Sequence, residues 1–197
     1  MLVAGITGGI GSGKTFIASI FQQLGVPVYN ADKRANLLMT ERKNIIAAIK
    51  ELLGNESYDS NGDLNKKVIS NAIFSDENIK RKVNAVVHPE VALDFDAWKT
   101  KHKDLPYIIK ESAILFESGA NKGVDAVICV TAPTDVRLLR VKRRDGITDE
   151  KILSIIKNQM TDKEREPLCN FWILNDGEKP LLPQIMEIHN HLISIKK

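Results

Sequence analysis

"GITGGIGSGKT", residues 5–15, is the most unusual stretch of the chain. It places five glycines in eleven residues and follows them at once with Lys14 and Thr15. Glycine loses more freedom on ordering than any other residue, so a run this dense needs a reason. Gly8-x-x-x-x-Gly13-Lys14-Thr15 matches the phosphate-binding loop pattern in full. Glycines let successive backbone N–H groups turn inward with no Cβ in the way. A helix that follows adds the positive end of its dipole. In such a loop Lys14 reaches the β- and γ-phosphates of a nucleoside triphosphate, and the Thr15 hydroxyl holds Mg²⁺.

The flanks supply the context that the loop requires. Leu2 to Ile6 is a short apolar run ending in glycines and reads as a buried strand. Phe16, Ile17, Ile20, Phe21 and Leu24 then recur at helical spacing, and Gly25 closes that helix. Further out, "VPVY" (26–29), "YIIK" (107–110), part of "DAVICVTAP" (125–133) and "FWIL" (171–174) read as four more strands. Residues 33–53 and 64–102 read as helical, the second block interrupted at Pro89 after His88, with a polar loop over 54–63. Helices are expected over about 134–144, after the N-cap Thr148, and over 181–194. Strands that alternate with helices argue for an α/β fold whose parallel sheet is covered on both faces.

Composition narrows the class. A chain of 197 residues with 43% hydrophobic content builds one α/β domain with room for small insertions. A net charge of only +3 does not suit a nucleic-acid arm, and no apolar run reaches the length of a membrane span. The N-terminus lacks the basic and apolar regions of a signal peptide. Cys129 and Cys169 form no CxxC and no Cys/His cluster, so they read as reduced, buried thiols of a cytoplasmic protein.

The loop does not choose among switches, motors and kinases. A guanine-nucleotide switch needs an Asn-Lys-x-Asp reader after a strand, whereas "NKGVD" (121–125) is one residue too long and precedes a strand. A motor ATPase needs an apolar strand ending in Asp, whereas "YIIK" runs into Lys110 and Glu111. These absences favour a small-molecule kinase, which needs a carboxylate facing the acceptor hydroxyl. Asp32 follows the second strand, at the sheet edge where α/β proteins bind ligands. "DVRLLRVKRRD" (135–145) puts Arg137, Arg140 and Arg144 on one helical face, suited to closing over ATP, with Lys163 and Arg165 joining them in a lid.

Six motifs in order resemble the dephospho-coenzyme A kinase family over essentially the whole chain: "GITGGIGSGKT", "VPVYNAD", "VNAVVHPEV", "ESAILFESG", "VTAPTDVRLLRVKRRDGITDEKILSIIKNQM" and "CNFWILNDG". The resemblance implies transfer of the ATP γ-phosphate to the ribose 3′-hydroxyl of dephospho-coenzyme A, the last step of coenzyme A synthesis, with ATP and Mg²⁺ as cofactors. It implies a five-stranded parallel P-loop kinase core (1–49 and 106–197), a helical coenzyme A-binding insertion (50–105) and a helical lid (about 140–165). By motif match, Asp32 becomes the catalytic base, acting with Lys14 and Arg140. Gly11, Ser12, Gly13, Lys14, Thr15, Phe16 and Asn175 become the ATP-binding residues, and Thr15 the metal ligand. His88, in the His-Pro helix, joins Asp32 as substrate-binding. The resemblance involves no nucleic acid and no membrane, and a monomer is favoured. Asn30 stands where the family's Asp-Ala-Asp has its first Asp, so Asn30→Asp is expected to be tolerated. Ala113 replaces the Pro before "ILFE", and Thr15 replaces Ser with its hydroxyl kept. Two other readings stay open: another nucleoside or sugar kinase on this scaffold, and a nucleotide-dependent switch.

Overall fold

Five short apolar runs become five parallel strands of one sheet: β1 (Leu2–Thr7), β2 (Val28–Asn30), β3 (Tyr107–Glu111), β4 (Ala126–Thr131) and β5 (Phe171–Leu174). The computed structural model describes residues 1–195, so the last two residues of the expected core lie outside it. The strand order is β2-β3-β1-β4-β5. Every residue of β1 is buried, as a central strand covered on both faces requires. The chain leaves β1 towards β2 on one side and later returns to β4 on the other. The loop after β1 therefore lies at the topological switch point, where open α/β sheets bind ligands.

β2 extends one residue past Tyr29 to Asn30 and β3 two residues past Ile109 to Glu111, because parallel pairing carries on past the last hydrophobic side chain. Asn30 and Glu111 are direct partners in that register, and Glu111 also pairs with Ile6 of β1.

Helix α1 (Lys14–Gln23) carries Ile17 and Phe21 into one apolar cluster with Ala4, Ile6, Ile109 and Ile128 of the sheet. Ile185, Ile188 and Leu192 of the last helix, α9 (Leu181–Ser194), belong to the same cluster. Truncating a side chain buried like Phe21 to Ala costs about 3–5 kcal/mol. Gly25, at φ +82°, ends α1: its N–H donates to Gln22 O at 3.0 Å, and Val26 N–H donates to Phe21 O at 3.1 Å. That pair of bonds is a Schellman motif, which satisfies carbonyls the helix end would orphan. Between β4 and β5 run α6 (Thr134–Asp145), α7 (Asp149–Lys157) and the single turn α8 (Asp162–Arg165). Thr148 caps α7, accepting from Lys151 N–H at 3.5 Å. Cys129 is buried and Cys169 half-buried, and both are free thiols.

The chain divides into two compact units, residues 1–30 with 102–195 and residues 31–101. The helical unit thus begins at Ala31, well before the boundary expected near residue 50. Its elements are α2 (Ala31–Glu41), α3 (Lys43–Leu53), α4 (Lys66–Ser75) and α5 (Glu77–Thr100). Both α2 and α3 pack on α5, burying Leu38, Met39, Ile45 and Ile49 in the unit that also buries Val83, Val87, Val91 and Phe95. Arg42, extended at φ −94° and ψ 113°, splits the helix expected over 33–53 into these two. Pro89 does not interrupt α5, contrary to the sequence expectation. The ring removes one N–H donor, but its fixed φ suits a helix. The buried stripe Val83, Val87, Val91, Phe95, spaced four apart, keeps the helix continuous across it. The polar loop over 54–63 contains a short 3₁₀ turn and an antiparallel bridge between Tyr58 and Leu64. Among the described residues no helix is long and apolar enough to cross a membrane.

Candidate active site

The glycine run forms the loop between β1 and α1, and its backbone is held from several directions. Ser12 N–H donates to Gly9 O at 3.2 Å within the loop. Lys14 Nζ donates to Gly8 O at 2.8 Å and to Gly9 O at 3.1 Å, folding the side chain back over the loop. Ile10 N–H donates to Gln159 Oε1 at 2.8 Å, and Ile10 O accepts from Arg137 Nε at 2.8 Å. Ser12 O accepts from Asn175 Nδ2, also at 2.8 Å.

Two glycines show why side chains are absent here. Gly13 is the N-cap of α1 at φ +94°, and a Cβ there would come within 2.2 Å of Asn175 Nδ2. A Cβ on Gly8 would lie 2.1 Å from Val130 O. The loop is glycine-rich partly because β4 and Asn175 approach so closely. Because Gly13 has no side chain to cap α1, the first N–H groups of that helix are left for a ligand. Thr7 Oγ1 and Ser12 Oγ are buried without a hydrogen-bond partner among the described residues. Such groups cost stability, and both of these hydroxyls adjoin the glycine run.

Thr15 is tied to a carboxylate that sequence reasoning set aside. Its Oγ1 donates to Glu111 Oε1 at 2.5 Å, and Glu111 Oε2 accepts from Asn30 Nδ2 at 2.6 Å. Glu111 is only 3% exposed, so both oxygens of a buried carboxylate are satisfied by these two donors. Glu111 therefore occupies the place of the strand-end acid beside the phosphate loop. Its signal was present in the sequence, two residues past the last apolar side chain of its run. Gln159 had no such signal, since it meets Ile10 only through the fold.

The arginine stripe splits into three environments. Arg137 is 6% exposed and lies beneath the loop, where burial lowers its pKa from the usual arginine range. Arg140 donates to Asn175 O at 2.9 Å and Asn175 Oδ1 at 3.2 Å, so Asn175 links Arg140 to Ser12 of the loop. Arg144 turns out to solvent and pairs with Asp145 at 2.7 Å. Lys163 is exposed, while Arg165 is fully buried, bonding Asp162 at 3.1 Å and lying 3.8 Å from Glu117. Asp162 also accepts from the Thr131 hydroxyl at the end of β4. The stripe does not present one cationic face, because α6 rotates Arg137 inward against the loop it supports. Phe16, on the first turn of α1, is 57% exposed.

Asp32 and His88 belong to the helical unit. Asp32 sits half-buried in the first turn of α2, two residues past β2 along the chain. His88 is half-buried on α5, and burial holds its pKa below the ordinary histidine value. Within the same unit, Arg34 Nε and Nη2 bond both carboxylate oxygens of Asp94 at 2.9 and 2.7 Å, fixing α2 to α5.

A parallel five-stranded sheet in this order, with a glycine loop feeding a helix and an acid at the neighbouring strand end, defines a P-loop kinase. The comparisons narrow the class. The model of the dephospho-CoA kinase family matches residues 2–180. A dephospho-CoA kinase of Bacteroides fragilis (strain YCH46) is 40% identical over 184 residues, which cover 93% of this chain and 89% of that one. A crystal structure from Thermus thermophilus superimposes with a TM-score of 0.82 at 26% identity, covering 100% of this chain and 98% of the other. The dephospho-CoA kinase of Campylobacter jejuni shares the fold, with a TM-score of 0.69 at 19% identity and 96% of each chain covered. The chain belongs to the dephospho-CoA kinase family.

Proposed function

We propose that the chain transfers the γ-phosphoryl group of ATP to the ribose 3′-hydroxyl of dephospho-coenzyme A, completing coenzyme A. The observation that carries the reading is the Thr15–Glu111 hydrogen bond at 2.5 Å beside the glycine loop, in a chain matched to this family over residues 2–180. A new bond forms between the 3′-oxygen and the γ-phosphorus, and the bond from that phosphorus to the β–γ bridging oxygen breaks. ADP leaves with the electron pair. Asp32 accepts the hydroxyl proton as attack proceeds, which general base catalysis rewards by about 10²–10⁴-fold.

Lys14, now on the carbonyls of Gly8 and Gly9, swings onto the β- and γ-phosphates when they enter the loop. The uncapped N–H groups of α1 and the loop amides Gly11 to Phe16 bind the phosphate oxygens. Arg140 adds positive charge near the transferring group, positioned by Asn175, which flanks the nucleotide. His88 contributes to binding dephospho-coenzyme A from the helical unit, and residues 140–165 act as the lid. Two free thiols fit a cytoplasmic enzyme.

The Thr15 hydroxyl and the Glu111 carboxylate fit Mg²⁺, being hard oxygen groups set beside the phosphate loop. Phosphate oxygens and water would complete such a site, as is usual for this ion. When bound, magnesium neutralises charge on the β- and γ-phosphates.

The test measures ADP formation with dephospho-coenzyme A, with pantetheine and with nucleosides as acceptors. ADP should form only when dephospho-coenzyme A is present. Equal ADP formation without acceptor would point to a nucleotide switch, and preference for a nucleoside would point to another kinase of this fold.

A further inference from the structure

Thr15, Glu111 and Asn30 form a chain of hydrogen bonds with one direction. Asn30 Nδ2 donates to Glu111 Oε2 at 2.6 Å, and Glu111 Oε1 accepts from Thr15 Oγ1 at 2.5 Å. A hydroxyl has one proton and two lone pairs. Once the Thr15 proton is committed to Glu111, its lone pairs face away from that carboxylate and are free to meet a cation. A threonine whose hydroxyl rotates would spend part of its time presenting the proton instead. The rotamer of Glu111 thus decides what Thr15 offers.

The sheet explains what holds Glu111. Asn30 and Glu111 are direct partners in the parallel register of β2 and β3, so their side chains leave the sheet on the same face. On the other side Glu111 pairs with Ile6, which leads into the glycine loop. The carboxylate is buried to 3% exposure, so Asn30 gives Oε2 a hydrogen bond in place of bulk water. A neutral amide is the residue type that does this while adding no charge. The pair presents one negative charge beside Thr15.

From this geometry we infer that Asn30 is a positioning residue for the divalent cation: it orients Glu111, which orients the Thr15 hydroxyl. The inference rests on the proposed nucleotide site. It assigns Asn30 a role that acts through the Glu111 carboxylate. Outer groups that orient a metal ligand typically contribute about 10–100-fold in metal affinity.

The experiment compares binding of a non-hydrolysable ATP analogue by titration calorimetry, with Mn²⁺ and with EDTA, for the full chain. Four proteins are used: wild type, Asn30→Ala, Glu111→Gln and the double variant. The metal-dependent gain in affinity should fall by about 10-fold in Asn30→Ala and by about 10–100-fold in Glu111→Gln. Affinity in EDTA should stay as in wild type, a separation that a merely structural defect does not produce. The double variant should match Glu111→Gln alone, because Asn30 acts through Glu111. The Mn²⁺ electron paramagnetic resonance line shape of the ternary complex should change in Asn30→Ala. Additive losses in the double variant, or a full metal-dependent gain in Asn30→Ala, would overturn the inference. Should Glu111→Gln fail to fold, Asn30→Ala still decides through its EDTA and Mn²⁺ affinities. If wild type fails to bind the analogue even with Mn²⁺, the proposed nucleotide site itself falls, which is a different result.

Discussion

The two units hold their candidate residues by different means. In the core, the glycine loop is fixed by polar bonds from far along the chain: Arg137 and Gln159 on Ile10, Asn175 on Ser12, Glu111 on Thr15. In the helical unit, Asp32 and His88 ride on helices fixed by an apolar stripe and the bidentate Arg34–Asp94 pair. Directional polar bonds fix the loop from four separate segments, whereas in the helical unit the Arg34–Asp94 ion pair supplements an apolar stripe. On the proposed reading, the helical unit contributes Asp32 and His88.

Substitutions in each unit test that contrast. The largest expected effect lies in the helical unit. Asp32→Asn keeps the shape and removes the proton acceptor, so single-turnover phosphoryl transfer should fall by about 10²–10⁴-fold. ATP affinity should be nearly intact, since the phosphates bind to the core. Transfer within a few-fold of wild type would remove Asp32 from the base role. Lys14→Ala comes next, costing about 3 kcal/mol or more in the barrier as the charge that follows the phosphoryl group is lost. Steady-state turnover near wild type would sink the loop's assignment.

Asn30→Asp is a smaller effect and reverses an expectation drawn from the sequence. Resemblance alone suggested that a carboxylate at residue 30 would be tolerated. The structure sets a donor there, 2.6 Å from a buried carboxylate oxygen. Replacing that donor with a second carboxylate removes a charge-assisted bond, so metal-free stability should drop by about 1.5–3 kcal/mol. Chemical denaturation in EDTA measures it, and an unchanged midpoint would show that Asn30 is not the donor Glu111 needs.

The smallest effect concerns His88 and pH. Burial lowers its pKa, so the folded chain favours the neutral ring. The unfolded chain takes up its proton at the ordinary value, about 6.5. Below that pH the unfolded state binds more protons, so the His88 contribution is present above it and is lost as pH falls through the lower, folded value. Thermal melts from neutral to mildly acidic pH should show a decline that His88→Gln flattens. Parallel profiles would assign the decline to other groups.

Much of the fold was legible because its signals are local. The strands from Leu2, Tyr107 and Phe171 announced themselves as apolar runs, and the last helix fell on 181–194 as its periodicity suggested. The loop was legible because Gly8 to Thr15 is contiguous. Glu111 was visible yet misread, since the apolar run stops at Ile109 while parallel pairing carries β3 two residues further. The start of the helical unit at Ala31 was hidden, because α2 joins it largely through packing on α5, distant in sequence. Pro89 misled for the opposite reason. A local breaker was overruled by a buried stripe that spans it. Arg137 illustrates the same limit: helical spacing put it on a face, but only the fold shows that this part of the face is covered by the loop.

The chain is a member of a family that phosphorylates dephospho-coenzyme A, and on the proposed reading it does so at one hydroxyl, the ribose 3′ position. The most direct measurement identifies the product formed from ATP and dephospho-coenzyme A by phosphorus magnetic resonance. The expected result is a new monoester signal coupled to the ribose 3′ proton, matching coenzyme A, together with one ADP for each molecule of product. Phosphate on another position, or ADP accompanied only by inorganic phosphate, would contradict it.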